Sequence, residues 1–258
     1  MTAAMDGSLA AVVWHDAENG GYDADMAHWE ELAETTGGPV LDIGCGTGRV
    51  SLRLARRGYE VVGVDVDPVL VEELRARAVG LPAAGAVGDA RRLDLGRQFN
   101  LVLAPMQLVQ LLAGETERLA CLAAIAAHLG PGGLAALAIV EDPFGDNDLA
   151  PFSGHRREER YTAPLPDTRE VGGIVYSSLP LPTLVDGHGM EVRRLRQTVS
   201  ADGELTDEES AIRLQRLSAT QLEREARAAG LEPRPRRAVP PTDDHVGSTV
   251  VLLRKGVA

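Results

Sequence analysis

The stretch "PVLDIGCGTGRV" (residues 39–50) constrains this chain more than any other. The short stretch "PVLDI", apolar but for Asp42, passes directly into glycines at 44, 46 and 48, and then into "RVSLRLARRG", where Val50, Leu52, Leu54 and Ala55 are interleaved with arginines up to Gly58. This is a buried strand, a tight turn with bare backbone, and an amphipathic helix closed by a glycine. A strand turning straight into a helix requires a parallel neighbour and a crossover connection. Dinucleotide-binding turns of this kind read Gly-x-Gly-x-x-Gly or end in Ala, so that the helix packs closely on the strand. Here the sixth position is Arg49, and the glycines instead follow each other at every second residue. The spacing suits a ligand without a pyrophosphate, lying on the backbone itself.

The alternation continues through the first half of the chain. "ADMAHWEELAET" (24–35) places Met26, Trp29, Leu32 and Ala33 at helical spacing, with Trp29 expected as a packing wall. "EVVGVDV" reads as a second strand, followed by a helix that Asp67 caps and Pro68 opens. "AAGAVGDA", "FNLVLAP" and "LAALAIV" read as further strands, with the helix "ETERLACLAAIAAHL" before the last of them. The reading is an α/β fold, a doubly wound and mostly parallel Rossmann-like sheet of seven strands, with its ligand at the strands' carboxyl ends. After Glu141 the pattern changes. Residues 141–170 are polar and proline-rich, which reads as a loop or lid. "GGIVYSSLPL", "MEVRRLRQTVS" and "ESAIRLQRLS" then suggest a small antiparallel β insertion over the active site. The expected organisation is a single domain: an N-terminal helical cap (1–37), a cofactor-binding core (38–141), a lid loop and insertion (142–218), and a C-terminal helix with the last strands (219–258).

A formal charge of −12, with Lys255 the single lysine, disfavours nucleic acid, which needs a positive footprint. Two cysteines make no disulfide framework, and Cys45 and Cys121 stand in contexts that suggest buried packing. No basic start with a long apolar core opens the chain, and no run approaches the ~20 apolar residues of a membrane span. The expectation is a cytoplasmic protein without membrane contact. Neither clustered His/Cys spacing nor a calcium-loop pattern appears, so no metal is expected.

Taken together, "VLDIGCGTG", "VVGVD", "VGDARRL", "FNLVLAPMQL" and "HLGPGG" resemble the motifs of class I S-adenosylmethionine-dependent methyltransferases over residues 38–140. The resemblance implies S-adenosyl-L-methionine as cofactor. It implies that Asp65 bonds the ribose hydroxyls, a bidentate pairing that two carboxylate oxygens suit. Asp89 then meets the adenine amino group while the Ala90 N–H serves a ring nitrogen. Asp42 holds the glycine turn or, through water, the methionine amino group. Gly44, Cys45, Gly46, Gly48, Val66, Pro105 and Gln107 complete the implied cofactor site, together with Tyr22 from the N-terminal segment that closes over the cofactor in such enzymes.

The end of the fourth strand bears on the acceptor. Enzymes of this family that methylate base amines carry an Asn/Asp-Pro-Pro-aromatic motif there, and cytosine C5 enzymes a Pro-Cys; this chain has "APMQ", Ala104 to Gln107. "PMQLVQLL" instead resembles small-molecule methyltransferases, with a short helix on which Gln107 and Gln110, three apart, face one side. The insertion resembles that of glycine and sugar-amine N-methyltransferases, where it roofs the acceptor pocket and contributes to dimers. The expected reaction is methyl transfer to an N, O or C atom of a small organic acceptor, of the kind met in natural product biosynthesis. A homodimer is left open, as are RNA or protein acceptors and a binding-only role. The expected catalytic residues are Glu141, Gln110 and His188, with His15 a further candidate base.

Overall fold

The computed structural model describes residues 2–141, 165–242 and 245–256, with backbone alone for 2–6. Of the loop or lid expected at 141–170, residues 142–164 lie outside them. Two helices, α1 (Thr2–Asn19) and α2 (Met26–Thr36), precede the sheet. The first half then alternates as β1 (Val40–Ile43), α3 (Arg49–Arg56), β2 (Val61–Asp65), α4 (Pro68–Arg77), β3 (Ala83–Val87), β4 (Phe99–Ala104), α5 (Glu115–His128) and β5 (Leu129–Ile139). Asp67 caps α4, its side chain accepting from the Val69 N–H, with Pro68 at the first position.

The second half begins with four antiparallel strands, β6 (Asp167–Val171), β7 (Ile174–Asp186), β8 (Gly189–Val199) and β9 (Leu205–Gln215). The sequence pattern puts residues 167–170 in the loop, but their backbone pairs with β7, in a ladder that runs from Asp167↔Ser178 to Val171↔Ile174. The two glycines at 172 and 173, both at positive φ, supply the hairpin turn. The chain ends with α6 (Ala219–Ala228), capped by Ser218, then β10 (Leu231–Val239) and β11 (Ser248–Lys255). The sequence pattern does not single out β10, whose Pro233 and Pro235 argue against a central strand. It stands at the sheet edge, where missing N–H donors are tolerated.

The main sheet has seven strands in the order β10-β11-β5-β4-β1-β2-β3. Its core pairs are parallel, while β11 runs antiparallel between β5 and β10. Successive residues of a strand face opposite sides, and the two cores follow that rule. Val102 and Ala104 of β4 join Leu122, Ile125 and Leu222 on one face; Leu101 and Leu103 join Trp29, Val50 and Leu54 on the other. A buried bidentate pair, Arg118–Glu225 at 2.7 and 2.8 Å, ties α5 to α6. Strand order reverses between β1 and β4, which opens a crevice at their carboxyl ends. The four-stranded sheet stands over that end.

Candidate functional site

The glycine turn leaves β1 with Gly44, Gly46 and Gly48 all at positive φ. The Gly44 and Cys45 N–H groups donate to the Val64 carbonyl, 2.7 and 3.1 Å. A side chain at Gly48 would run into Leu74 and Leu52, so this glycine answers helix packing. At Gly46 a Cβ would collide with the imidazole of His15. Asp65 closes the turn from β2, its two oxygens accepting from the Gly46 N–H (2.9 Å) and the Asp67 N–H (3.0 Å). Each oxygen keeps a further lone pair. Val66 beside it is 71% exposed.

Asp42 is buried on the α3 face of β1. Ser51 donates to its Oδ2 at 2.6 Å, and its Oδ1 has no partner among the described residues. Burial pushes its carboxyl up to about 6, against the opposing pull of Ser51 and Arg49. Asp89, beyond β3, accepts from the Arg91 N–H and pairs with the Arg91 guanidinium at 2.6 Å. That guanidinium, ahead of the backbone bond, holds the Asp89 carboxyl down to about 2. Ala90 is half-buried beside it and Pro105 is buried at the end of β4. Cys45 and Cys121 are buried thiols whose desolvation pushes both above the usual range.

Arg49, the residue that breaks the dinucleotide pattern, forms a bidentate pair with Asp25, 2.6 and 2.8 Å, and donates to the Tyr22 carbonyl. It thus pins the N-terminal segment across the glycine turn. Tyr22 lies 4.4 Å from the His245 ring, centre to centre. Both line a cavity of about 830 Å³. Its floor includes Met106, Gln107 and Val140, the ends of β4 and β5; α1 gives one wall with Trp14, His15 and Glu18. Its roof is the inner face of the antiparallel sheet, apolar at Met190, Val192, Ile212 and Leu214 and charged at Arg194 and Arg196. Those arginines are held by Asp167 (2.9 Å) and, bidentately, by Glu18 (2.7 Å).

The structure draws the expected catalytic residues elsewhere. Gln110 is buried with its amide fully used: it donates to the Val140 and Gln215 carbonyls and accepts from the Val140 N–H at 2.7 Å. Only the 3₁₀ turn Leu108–Gln110 follows β4, with Gln107 left-handed at φ 62°, so the two glutamines share no helical face. Glu141 accepts from the Ala219 N–H at the start of α6 and from the Thr249 hydroxyl, both 2.8 Å, which anchors α6 and β11. His188 is exposed at the β7–β8 turn, its N–H on Asp186. None of the three lines the cavity. Gln107 and Tyr22 do.

Met106 and Gln107, consecutive non-glycine residues at φ 56° and 62°, mark the cavity floor as strained backbone. Sequence reasoning passes over His245, the Arg49–Asp25 pair and the Glu18–Arg196 clasp. A lone histidine in "DDHVG" beside the last strand is the available signal for the first. No group of three metal-ligating side chains occurs among the described residues, nor a helix long and apolar enough to cross a membrane.

The methyltransferase domain family matches residues 40–133. The cypemycin N-terminal methyltransferase of a Streptomyces species is 37% identical over 101 residues, 39% of this chain and 41% of that one. Magnesium-protoporphyrin O-methyltransferase of Rhodobacter capsulatus is 38% identical over 93 residues, 33% and 39% of the two chains. The chain thus spans about two fifths of the length of these curated relatives. Among solved structures, the amino pentose methyltransferase CalS10 of Micromonospora echinaspora superposes with a TM-score of 0.70 at 23% identity, covering 94% of this chain and 97% of that one. The sugar N-methyltransferase KedS8 of Streptoalloteichus does so with 0.70 at 18%, covering 96% and 92%. Residues 40–133 match the methyltransferase domain family, and the chain shares the fold of these solved methyltransferase structures.

Proposed function

We propose that the protein transfers a methyl group from S-adenosylmethionine to an amine nitrogen of a small, sugar-like acceptor. The observation that carries this reading is the roofed cavity of about 830 Å³, which His15, Tyr22 and Asp67 border on the side of the glycine turn and which has the size of a small-molecule site. The residues present fit the cofactor: Asp65 and Asp89 offer carboxylate acceptors at neighbouring strand ends, where hydroxyl and amino donors of a nucleoside would need them, and the glycine turn lies on the other side of Asp65. The solved structures of like fold are an amino pentose methyltransferase and a sugar N-methyltransferase.

When bound, the cofactor supplies a methyl group on a sulfonium, open to in-line displacement. Little covalent help is then needed; the chain has to hold a neutral nucleophile about 3 Å from the methyl in a dry pocket. Asp65 and the glycine turn fix the nucleoside. Met106 and Gln107 set the floor at the end of β4, and the buried Met190 and Leu214 exclude water from above. Tyr22 and His245 present a polar ring pair beside that floor, where an amine proton can be accepted. Gln110 and Glu141 keep the ends of β5, β9 and α6 in register and are assigned a positioning role.

The test is calorimetry with S-adenosylhomocysteine, followed by transfer of a labelled methyl to a panel of amino sugars and their hydroxy counterparts. Binding, and labelling confined to amines, is the expected result. Binding of a nicotinamide dinucleotide in place of S-adenosylhomocysteine would overturn the reading, and labelling of the hydroxy compounds alone would overturn its nitrogen specificity.

A further inference from the structure

His15 projects from α1 onto the middle of the glycine turn, its Nε2–Cε1 edge lying where a side chain of residue 46 would be. Its other nitrogen, Nδ1, stands 3.3 Å from the Thr47 hydroxyl. That hydroxyl has one hydrogen, and Asp16 Oδ1, 2.7 Å away, takes it. Asp16 has no proton to give. Although burial opposes its charge, the nearby His15 ring and the hydrogen bonds from Arg77 and Thr47 outweigh that effect and hold its carboxyl well below the usual range. Arg77 grips it from α4 at 2.6 and 3.1 Å. Thr47 therefore accepts from Nδ1–H, and the tautomer with its proton on Nδ1 carries a bare lone pair on Nε2. Nε2 meets no N–H or O–H donor among the described residues, and His15 lines the cavity.

We propose that His15 is a cofactor-recognition residue, whose Nε2 accepts a hydrogen bond from the α-ammonium of the methionine portion. The inference rests on the proposed cofactor. Asp65 accounts for the hydroxyl donors of the nucleoside, so an acceptor placed on the turn itself is matched to the remaining donor of the ligand. The Asp16–Thr47–His15 chain acts as a tautomer lock: it keeps the proton on Nδ1 and the acceptor lone pair facing the ligand. It also explains why a residue of α1 is tied to the glycine turn and to α4 at once.

Two probes separate this role from packing: S-adenosylhomocysteine, and 5′-deoxy-5′-methylthioadenosine, which lacks the amino-acid portion. In calorimetry with the full chain, His15→Ala is expected to weaken S-adenosylhomocysteine at least tenfold and methylthioadenosine less than threefold. Thr47→Val, which removes the lock but keeps the imidazole, is expected to show a smaller loss with the same selectivity. Nitrogen-15 spectra of the unliganded wild type should show His15 protonated on Nδ1, that preference should vanish in Thr47→Val, and S-adenosylhomocysteine should shift the Nε2 signal. Equal losses for both probes in His15→Ala, or a His15 protonated on Nε2, would overturn the inference. A wild type that binds neither probe overturns the cofactor assignment itself, a different outcome from a wild type that binds both and variants that do not discriminate.

Discussion

Replacing Asp42 by asparagine should make the protein more stable near neutral pH and less able to hold its cofactor. Asp42 is 1% exposed, one of its oxygens has no partner among the described residues, and burial lifts its carboxyl from the ordinary 3.8 to about 6. A raised carboxylate works against folding as pH rises: between about 4 and 6 the folded state holds more protons than the unfolded one, so this group's contribution falls with increasing pH. A rise from 3.8 to about 6, at about 1.4 kcal/mol per pH unit, makes the ionised group cost about 3 kcal/mol above pH 6. An asparagine side chain keeps an acceptor for the Ser51 hydroxyl and carries no charge. Asp16 and Glu18, whose carboxyls are held low, have the opposite slope, so the informative quantity is the difference between wild type and variant. Urea unfolding at half-unit steps from pH 4 to 8 should show the Asp42→Asn variant gaining up to about 3 kcal/mol at pH 7 and losing that advantage towards pH 4. A pH-independent difference, or a less stable variant at pH 7, would refute the assignment of a strained buried charge.

Arg118→Met should cost about 3–5 kcal/mol, because it leaves Glu225 charged between α5 and α6 with its cation gone and the Gln221 amide its remaining donor; a drop in unfolding free energy below about 1 kcal/mol would count against it. Gly46→Ala should weaken S-adenosylhomocysteine and lower the melting temperature, since its left-handed φ of 53° and the His15 ring both reject a Cβ, whereas Gly38→Ala meets nothing closer than 3.7 Å and should be mild. Asp65→Ala should lower S-adenosylhomocysteine affinity at least ~30-fold through lost charge-assisted bonds, measured by calorimetry on a variant shown to be folded. Arg49→Ala should release the N-terminal segment, read as faster amide exchange over residues 20–26, with β1 unchanged.

What could be read from the sequence was whatever rests on local periodicity. The continuous apolar run Leu101–Ala104 needs no partner to be visible as a strand buried on both faces, and the cap at Asp67 is complete within three residues. β10 escapes because prolines at 233 and 235 disqualify a central strand, and only the sheet order shows that this one is an edge. β6 escapes for a related reason. "DTREV" has no apolar face of its own, and becomes a strand because β7 offers it a ladder.

The candidate site divides along the same line, with a physical reason on each side. Gly44, Gly46, Gly48 and Asp65 belong to one short strand–turn–helix unit and to the strand beside it, so their juxtaposition follows from the parallel pairing of β1 with β2. Gln110 and Glu141 attract attention for being polar and close in sequence to the sheet's ligand edge. That edge is also where strands end with unpaired N–H and C=O groups, and buried backbone groups need partners. Gln110 supplies two donors and an acceptor to Val140 and Gln215, and Glu141 supplies an acceptor to the first turn of α6, so both side chains are spent on the frame. His15 has the reverse history. It lies far from Gly46 in sequence, and its meaning comes from Thr47 and Asp16 beside its ring, an arrangement that exists only once α1 has folded across the turn.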